Sequence, residues 1–168
     1  MQRKHSTYSK LPEELLTKVE IERMTEAART PRNRAFVSVL YESGLRIGEM
    51  LSLKIKNVQL EEHGTILTVN GKNGIRRVRI TSSFQKLANW MKIHPFREDP
   101  NSPLWISLRT RNRDKTLKGK TVNALLKDLA KKAGIEKRIY PHLFRHSRAV
   151  HLSKYLTEAQ MKELFGWV

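Results

Sequence analysis

A chain of 168 residues is long enough for one domain with its own hydrophobic core, with room for at most a short appendage. It has no cysteine, which excludes disulfides, thiolate zinc sites and a cysteine nucleophile, and no apolar run nears the ~20 residues of a membrane span. Lysine and arginine number 33 against 16 aspartates and glutamates, and a net charge of +17 is what a partner rich in phosphates would select.

The charge is spread along the whole chain. A membrane-surface helix would concentrate it on one face with aromatics opposite, so nucleic acid is the better-matched partner, beside the plainer reading of a solvated basic surface. The opening MQRKHSTYSKLPEE has no apolar stretch after its basic residues and is not a secretory signal. The expected location is the cytoplasm.

Residues 1–16 read as an extended lead-in or linker, and 17–168 as the domain. Thr17-Lys18-Val19-Glu20 has capping-box spacing and predicts a helix to about Arg29. Thr30-Pro31 opens a second, with Phe36, Val39 and Leu40 on its apolar stripe and Gly44 at its end. A third, short helix is expected from Ile47 to Leu53, with Ile47, Met50 and Leu51 inward. The period then changes: Val58 to Leu60, Thr65 to Asn70 and Ile75 to Thr81 are β-rich, and Gly71-Lys72-Asn73-Gly74 reads as the turn between the last two. Phe84, Leu87, Ala88 and Met91 predict a helix that Pro95 closes. Arg97 to Thr116 is loop-rich around a buried Leu104-Trp105-Ile106. Thr121 to Ala133 is an amphipathic helix, Pro141 to about Tyr155 another, and Thr157 caps a last one toward Phe165. The fold class is therefore mainly α with a small antiparallel sheet.

The chemistry-bearing residues lie in three places. In Gly44-Leu45-Arg46-Ile47-Gly48-Glu49, the glycine ends one helix and leaves Arg46 at the start of the next. There a guanidinium fork, free N–H groups and a positive dipole end suit a tetrahedral oxyanion. Glu49, one turn on, can orient Arg46 or a neighbour; alternatively the two are an ordinary exposed ion pair. In Tyr140-Pro141-His142-Leu143-Phe144-Arg145-His146-Ser147, His142 and Arg145 share a helix face and combine a phosphate clamp with a group that exchanges protons near neutral pH. A zinc site on His142 and His146 lacks a third ligand and a following Glu, so no metal is expected. Lys72 at the hairpin tip is either an ordinary exposed lysine or an ammonium that reaches a phosphodiester. Arg76, Arg77 and Arg79 follow it as candidate DNA-phosphate contacts, with Arg77 and Arg79 on one strand face.

Taken together, GLRIGEMLSL, the lysine of NGKNG, HLFRHS and LFGW resemble, in order, the catalytic domain of the tyrosine recombinases, the family of phage-type integrases and Xer-like recombinases. The resemblance runs from about Thr17 to Val168 and implies a mostly helical DNA breaking-rejoining fold with a small sheet. It implies that Arg46 and Arg145 bind the non-bridging oxygens of the scissile phosphate, that His142 helps move the nucleophile's proton, and that Lys72 protonates the leaving 5′ hydroxyl. Trp167 falls where the family has His or Trp, and Glu49 matches an acidic supporting position. No metal or cofactor is implied. Phe144 stands where the family usually has leucine. The family's nucleophilic tyrosine lies about nine residues beyond the Trp167 position, and none of Tyr8, Tyr41, Tyr140 and Tyr155 matches it. The parent protein is thus expected to be a site-specific DNA recombinase acting through a 3′-phosphotyrosyl intermediate, as a homo-tetramer on double-stranded DNA. The 168 residues themselves are expected to bind DNA as a monomer without cleaving it. A non-enzymatic DNA-binding module is the alternative, and a basic RNA-binding protein is a third.

Overall fold

The computed structural model describes residues 11–109, 111 and 115–168. The part of the lead-in over residues 1–10, Tyr8 with it, and residues 110 and 112–114 of the expected loop lie outside the described residues. Where the lead-in is described it is extended only in part, at Leu11 and Leu15. Pro12–Glu14 wind into a 3-10 turn, Leu16 is buried, and its N–H donates to Ser147 Oγ at 2.9 Å. Lys137 Nζ holds the carbonyl of Leu15 at 2.7 Å and Glu20 at 2.8 Å, which fastens the same segment from another side.

Seven helices and three strands follow among the described residues: α1 Lys18–Ala27, α2 Pro31–Ser43, α3 Ile47–Leu51, β1 Val58–Glu61, β2 Gly64–Gly71, β3 Gly74–Ile80, α4 Phe84–Ile93, α5 Gly119–Lys132, α6 Pro141–Leu152 and α7 Glu158–Phe165. The chain is mainly α with one antiparallel sheet of order β1-β2-β3. Among the described residues no helix is long and apolar enough to cross a membrane.

Local chemistry sets most boundaries. Thr17 and Glu20 exchange side-chain and backbone hydrogen bonds at the start of α1, and Thr157 with Gln160 do the same for α7. α2 begins with Pro31 behind Thr30, whose hydroxyl accepts from Asn33 N, and ends at Gly44 with φ 62°. A Cβ on Gly44 would strike the Phe165 ring, so this glycine serves both the left-handed cap and the close approach of α7. α3 stops at Leu51, before the expected Leu53, because Ser52 Oγ takes the carbonyl of Glu49 at 3.0 Å and Lys54 then bridges to Pro103. α6 stops at Leu152 rather than near Tyr155 for a similar reason: Ser153 Oγ takes the Val150 carbonyl at 2.7 Å. α5 starts two residues earlier than expected, since the extended residue is Lys118.

α2 is the central helix and packs on α1, α4, α6 and β3. Phe36 meets Trp105 edge to face at 5.1 Å, and Leu104, Trp105 and Ile106 are fully buried in an irregular segment. That segment is fastened by Leu104 N to Leu53 O at 2.9 Å and by Trp90 Nε1 to Leu104 O at 3.0 Å. The register Gly71↔Gly74, Thr68↔Arg77 and Thr65↔Ile80 turns Val78 and Ile80 into the core, and strand alternation puts Arg76 on that same inner face.

Candidate active site

Arg46 is the N-cap residue of α3, in extended conformation just past the Gly44 cap. Its backbone N–H donates to Glu49 Oε2 at 3.0 Å and its Nη1 to Oε1 at 3.3 Å, while its side chain stays 40% exposed. Glu49 has a stronger partner. Arg76 Nη1 and Nη2 reach Oε1 and Oε2 at 3.0 and 2.9 Å, a two-pronged pair that is nearly buried. Burial alone would raise the Glu49 carboxyl, but the hydrogen bonds from Arg76 and from the Arg46 N–H, with both arginine charges, hold it below the ordinary carboxylate value.

This pairing corrects the expectation that Arg76 faces DNA phosphates. Arg77 and Arg79 point out as expected; Arg79 is salt-bridged to Glu61 at 2.9 Å, and Arg77 is exposed. Arg76 shares the inner face of β3 with Val78 and Ile80, and its charge is spent on Glu49.

α6 starts at Pro141 behind Tyr140 and presents His142, Arg145, His146 and Ala149 on one side. Arg145 is only 3% exposed. Its Nη1 donates to Gly44 O at 2.8 Å and its Nη2 to Phe165 O at 2.7 Å, so one guanidinium joins the ends of α2 and α7. It lies 5.1 Å from the Phe165 ring centre and 6.0 Å from that of Trp167, and those two rings stack at 4.9 Å. Burial, and then the positive charge of Arg46, push Arg145 down to about 10, which leaves it cationic at neutral pH. His142 is pushed down from its usual value by burial and then by Arg145, His146 and Arg46, so it is neutral at pH 7.

Arg46, His142, Arg145, His146, Met161 and Trp167 line a single cavity of about 590 Å³. The structure thus brings together four of the five residues singled out as catalytic. Lys72 is not among the lining residues: it sits exposed at the hairpin tip. Glu49 stands behind Arg46. No described tyrosine lines the cavity. Tyr41 is buried under Arg148, whose guanidinium lies 5.5 Å from its ring; Tyr140 is the N-cap of α6; Tyr155 is exposed beyond the end of α6, next to His151. Among the described residues no group of three His, Cys, Asp or Glu is placed to hold a metal ion.

Residues 14–168 match the sequence profile of the phage integrase family. The chain belongs to that family. It is 35% identical over 164 residues to the tyrosine recombinase XerA of Pyrococcus furiosus, covering 94% of this chain and 55% of the relative. The tyrosine recombinase XerC of Alcanivorax borkumensis is 30% identical over 139 residues, covering 80% of this chain and 44% of its own length. The crystal structure of XerA recombinase superposes with a TM-score of 0.77 at 30% identity, over 90% of this chain and 55% of that one. The XerH site-specific recombinase bound to its difH substrate shares the fold, with a TM-score of 0.74 at 22% identity over 96% of this chain and 49% of that one. The chain spans about half the length of the curated relatives it matches.

Within this phage integrase fold, two arginines have roles other than those the sequence suggests. Arg76, expected among the DNA contacts, shares the parity of Val78 and Ile80, which is the signal that it turns inward. Arg148, three residues after Arg145, donates from Nε to Glu42 O at 3.0 Å. α6 therefore places two arginines on the carbonyl end of α2, where a helix leaves its last acceptors free and its dipole end negative.

Proposed function

We propose that this chain is the phosphate-activating part of a tyrosine-type site-specific DNA recombinase, a catalytic domain that binds double-stranded DNA and grips the scissile phosphate in the cavity between α3, α6 and α7. The observation that carries the reading is the convergence of Arg46, His142, Arg145 and Trp167, from distant parts of the chain, on one cavity. In-line attack on a phosphodiester builds negative charge on the non-bridging oxygens. Two guanidiniums fixed beforehand by Glu49 and by helix-end carbonyls stabilise that charge without reorganising. Arg46 offers the accessible fork. Arg145 spends two of its five N–H groups on carbonyls and keeps the others for the phosphate. His142, neutral at pH 7, accepts a proton from the attacking hydroxyl, the Trp167 indole N–H donates to the phosphate, and Lys72 supplies the proton for the leaving 5′ hydroxyl. A covalent phosphotyrosyl link conserves the phosphodiester energy, so the chemistry needs no nucleotide cofactor. The whole protein acts in this reading as a tetramer on DNA in the cytoplasm, and the 168-residue chain is a monomer.

Fluorescence anisotropy with a duplex recombination site, and with an RNA duplex of the same sequence, tests the reading. The DNA duplex is expected to bind more tightly, and Arg46→Ala to weaken it about tenfold, the size of one charge-assisted hydrogen bond. Incubation with a nicked duplex is expected to give no denaturant-stable adduct. Equal binding of RNA, an unchanged affinity in Arg46→Ala, or an adduct on Tyr155 would each overturn the assignment. The alternative is a non-enzymatic DNA-binding module. It predicts binding that does not change when Arg46 is replaced.

A further inference from the structure

The last turn of α7 is held by three donors from two places in the chain, the β2–β3 hairpin and α6. Arg76 Nε donates to Leu164 O at 3.0 Å, Arg145 Nη2 to Phe165 O at 2.7 Å, and Asn73 Nδ2 to Gly166 O at 3.0 Å. These are consecutive carbonyls at a helix C-terminus, where acceptors are left over and the dipole end is negative. Two of the donors belong to the β2–β3 hairpin. The contact is close on both sides. A Cβ on Gly71 would lie 2.7 Å from Arg76 Nη1 and from Glu49 Oε1, and one on Gly166 would lie 2.9 Å from Arg76 Nη1. Gly166 also has φ 64°, so that position resists any side chain for two reasons.

The neighbours of this contact matter. Asn73 follows Lys72 directly, and Gly166 precedes Trp167 directly. We propose that Asn73 and Arg76 are positioning residues that latch the β2–β3 hairpin to the end of α7, so that Lys72, outside the cavity, and Trp167, which lines it, are held as one unit. The structural latch stands on the hydrogen bonds alone; its catalytic meaning rests on the function proposed above. Through Glu49, which Arg76 shares with Arg46, the same latch is tied to the α3 end of the pocket. A hairpin that lets go of α7 withdraws Lys72 and frees the segment that carries Trp167, without disturbing the core beneath.

Native-state hydrogen exchange tests the coupling in the absence of DNA. The Trp167 amide, bonded to Lys162 O at 3.0 Å, reports opening of the α7 end, and the amides of Gly71 and Gly74, the last pair of the β2–β3 ladder, report opening of the hairpin tip. Asn73→Ala, an exposed turn change that leaves the fold intact, is expected to speed exchange at Trp167 about fivefold, the weight of one hydrogen bond. Arg76→Lys, which keeps the charge but loses the fork, is expected to act in the same direction at both sites. Gly166→Ala is expected to speed exchange at Gly71 and Gly74, because coupling between two sites is reciprocal. Residues that serve only their own element would leave the far side unmoved, and unchanged exchange at Trp167 in Asn73→Ala overturns the proposal. With DNA present, Lys72→Ala is expected to lower the salt slope of binding by about one phosphate contact in the natural sequence and by much less in the Asn73→Ala background. An equal loss in both backgrounds rejects the positioning of Lys72. An affinity unmoved by Arg46→Ala rejects the DNA reading and leaves the exchange result standing.

Discussion

The middle of α2 and its C-terminal end are buried by opposite chemistry. In its middle, Phe36 packs on Trp105, and beside them Trp90 and His94 donate to backbone carbonyls in a mainly apolar region. At its C-terminus, the carbonyls of Glu42 and Gly44 are met by the cations of Arg148 and Arg145, with Glu49 and Arg76 alongside. The first region is stabilised by apolar area and close packing, so it answers to changes of volume. The second is a set of fixed charges next to open space, so it answers to charge, salt and ligand. The division has a physical sense: the core carries the stability while the pocket gathers its cations at some electrostatic cost.

That division is broken most severely from the apolar side. Phe36→Ala removes a fully buried ring from the contact with Trp105 and is expected to cost about 4 kcal/mol in urea unfolding, with little dependence on salt. A cost below about 1 kcal/mol would mean that the region collapses around the gap and is not packed as described. The next largest effect comes from the charged side. Glu49→Ala leaves the nearly buried Arg76 without its carboxylate and is expected to cost about 3 kcal/mol. It should also differ from Phe36→Ala in kind: added sulfate or a DNA duplex is expected to restore part of the loss, since an anion can replace the missing charge. Restoration of Phe36→Ala to the same extent would erase the distinction.

Legibility in the sequence follows the same line. Thr17, Thr30 and Thr157 announced their helices because a cap bonds to residues two or three positions away, and Gly44 announced an end for the same local reason. The hairpin at Gly71-Lys72-Asn73-Gly74 was legible in its turn chemistry. What no periodicity reports is a partner far along the chain. Glu42 accepts the N–H groups of Thr81, Ser82 and Ser83 at 2.7–2.9 Å and so supplies the cap that α4 lacks locally; nothing at position 42 points to residues about forty places on. Arg76 is a mixed case: its parity with Val78 and Ile80 signals that it turns inward, but its partner Glu49, on α3, is far along the chain. The meeting of Arg46 with Arg145 came from the resemblance of ordered motifs, not from spacing, and the carbonyls that hold Arg145 were invisible to both.

The smallest effect draws the finest line between the two regions, through two histidines that both titrate below their usual value of 6.5. His94 is wholly buried. Its Nδ1 accepts from Phe96 N at 3.0 Å, which leaves Nε2 to donate to Pro103 O at 3.0 Å. A neutral ring satisfies both bonds, and a second proton on Nδ1 would face an N–H, so burial pushes this group down although the backbone carbonyls favour the cation. His142 is lowered by burial too, but also by Arg145, His146 and Arg46. For both groups the folded value lies below the unfolded one. Stability is therefore complete above pH 6.5 and falls as the pH drops below it, where the unfolded chain takes up the protons first. Salt separates them. Screening weakens the repulsion from exposed and half-exposed cations but leaves the cost of burying a charge untouched. Imidazole titration by NMR at low salt and at about 0.5 M is expected to move His142 back toward its usual value and to leave His94 in place. Equal movement of the two would mean that the pocket's charges do not set the state of His142, and the contrast between the middle and the C-terminal end of α2 would then be one of packing alone.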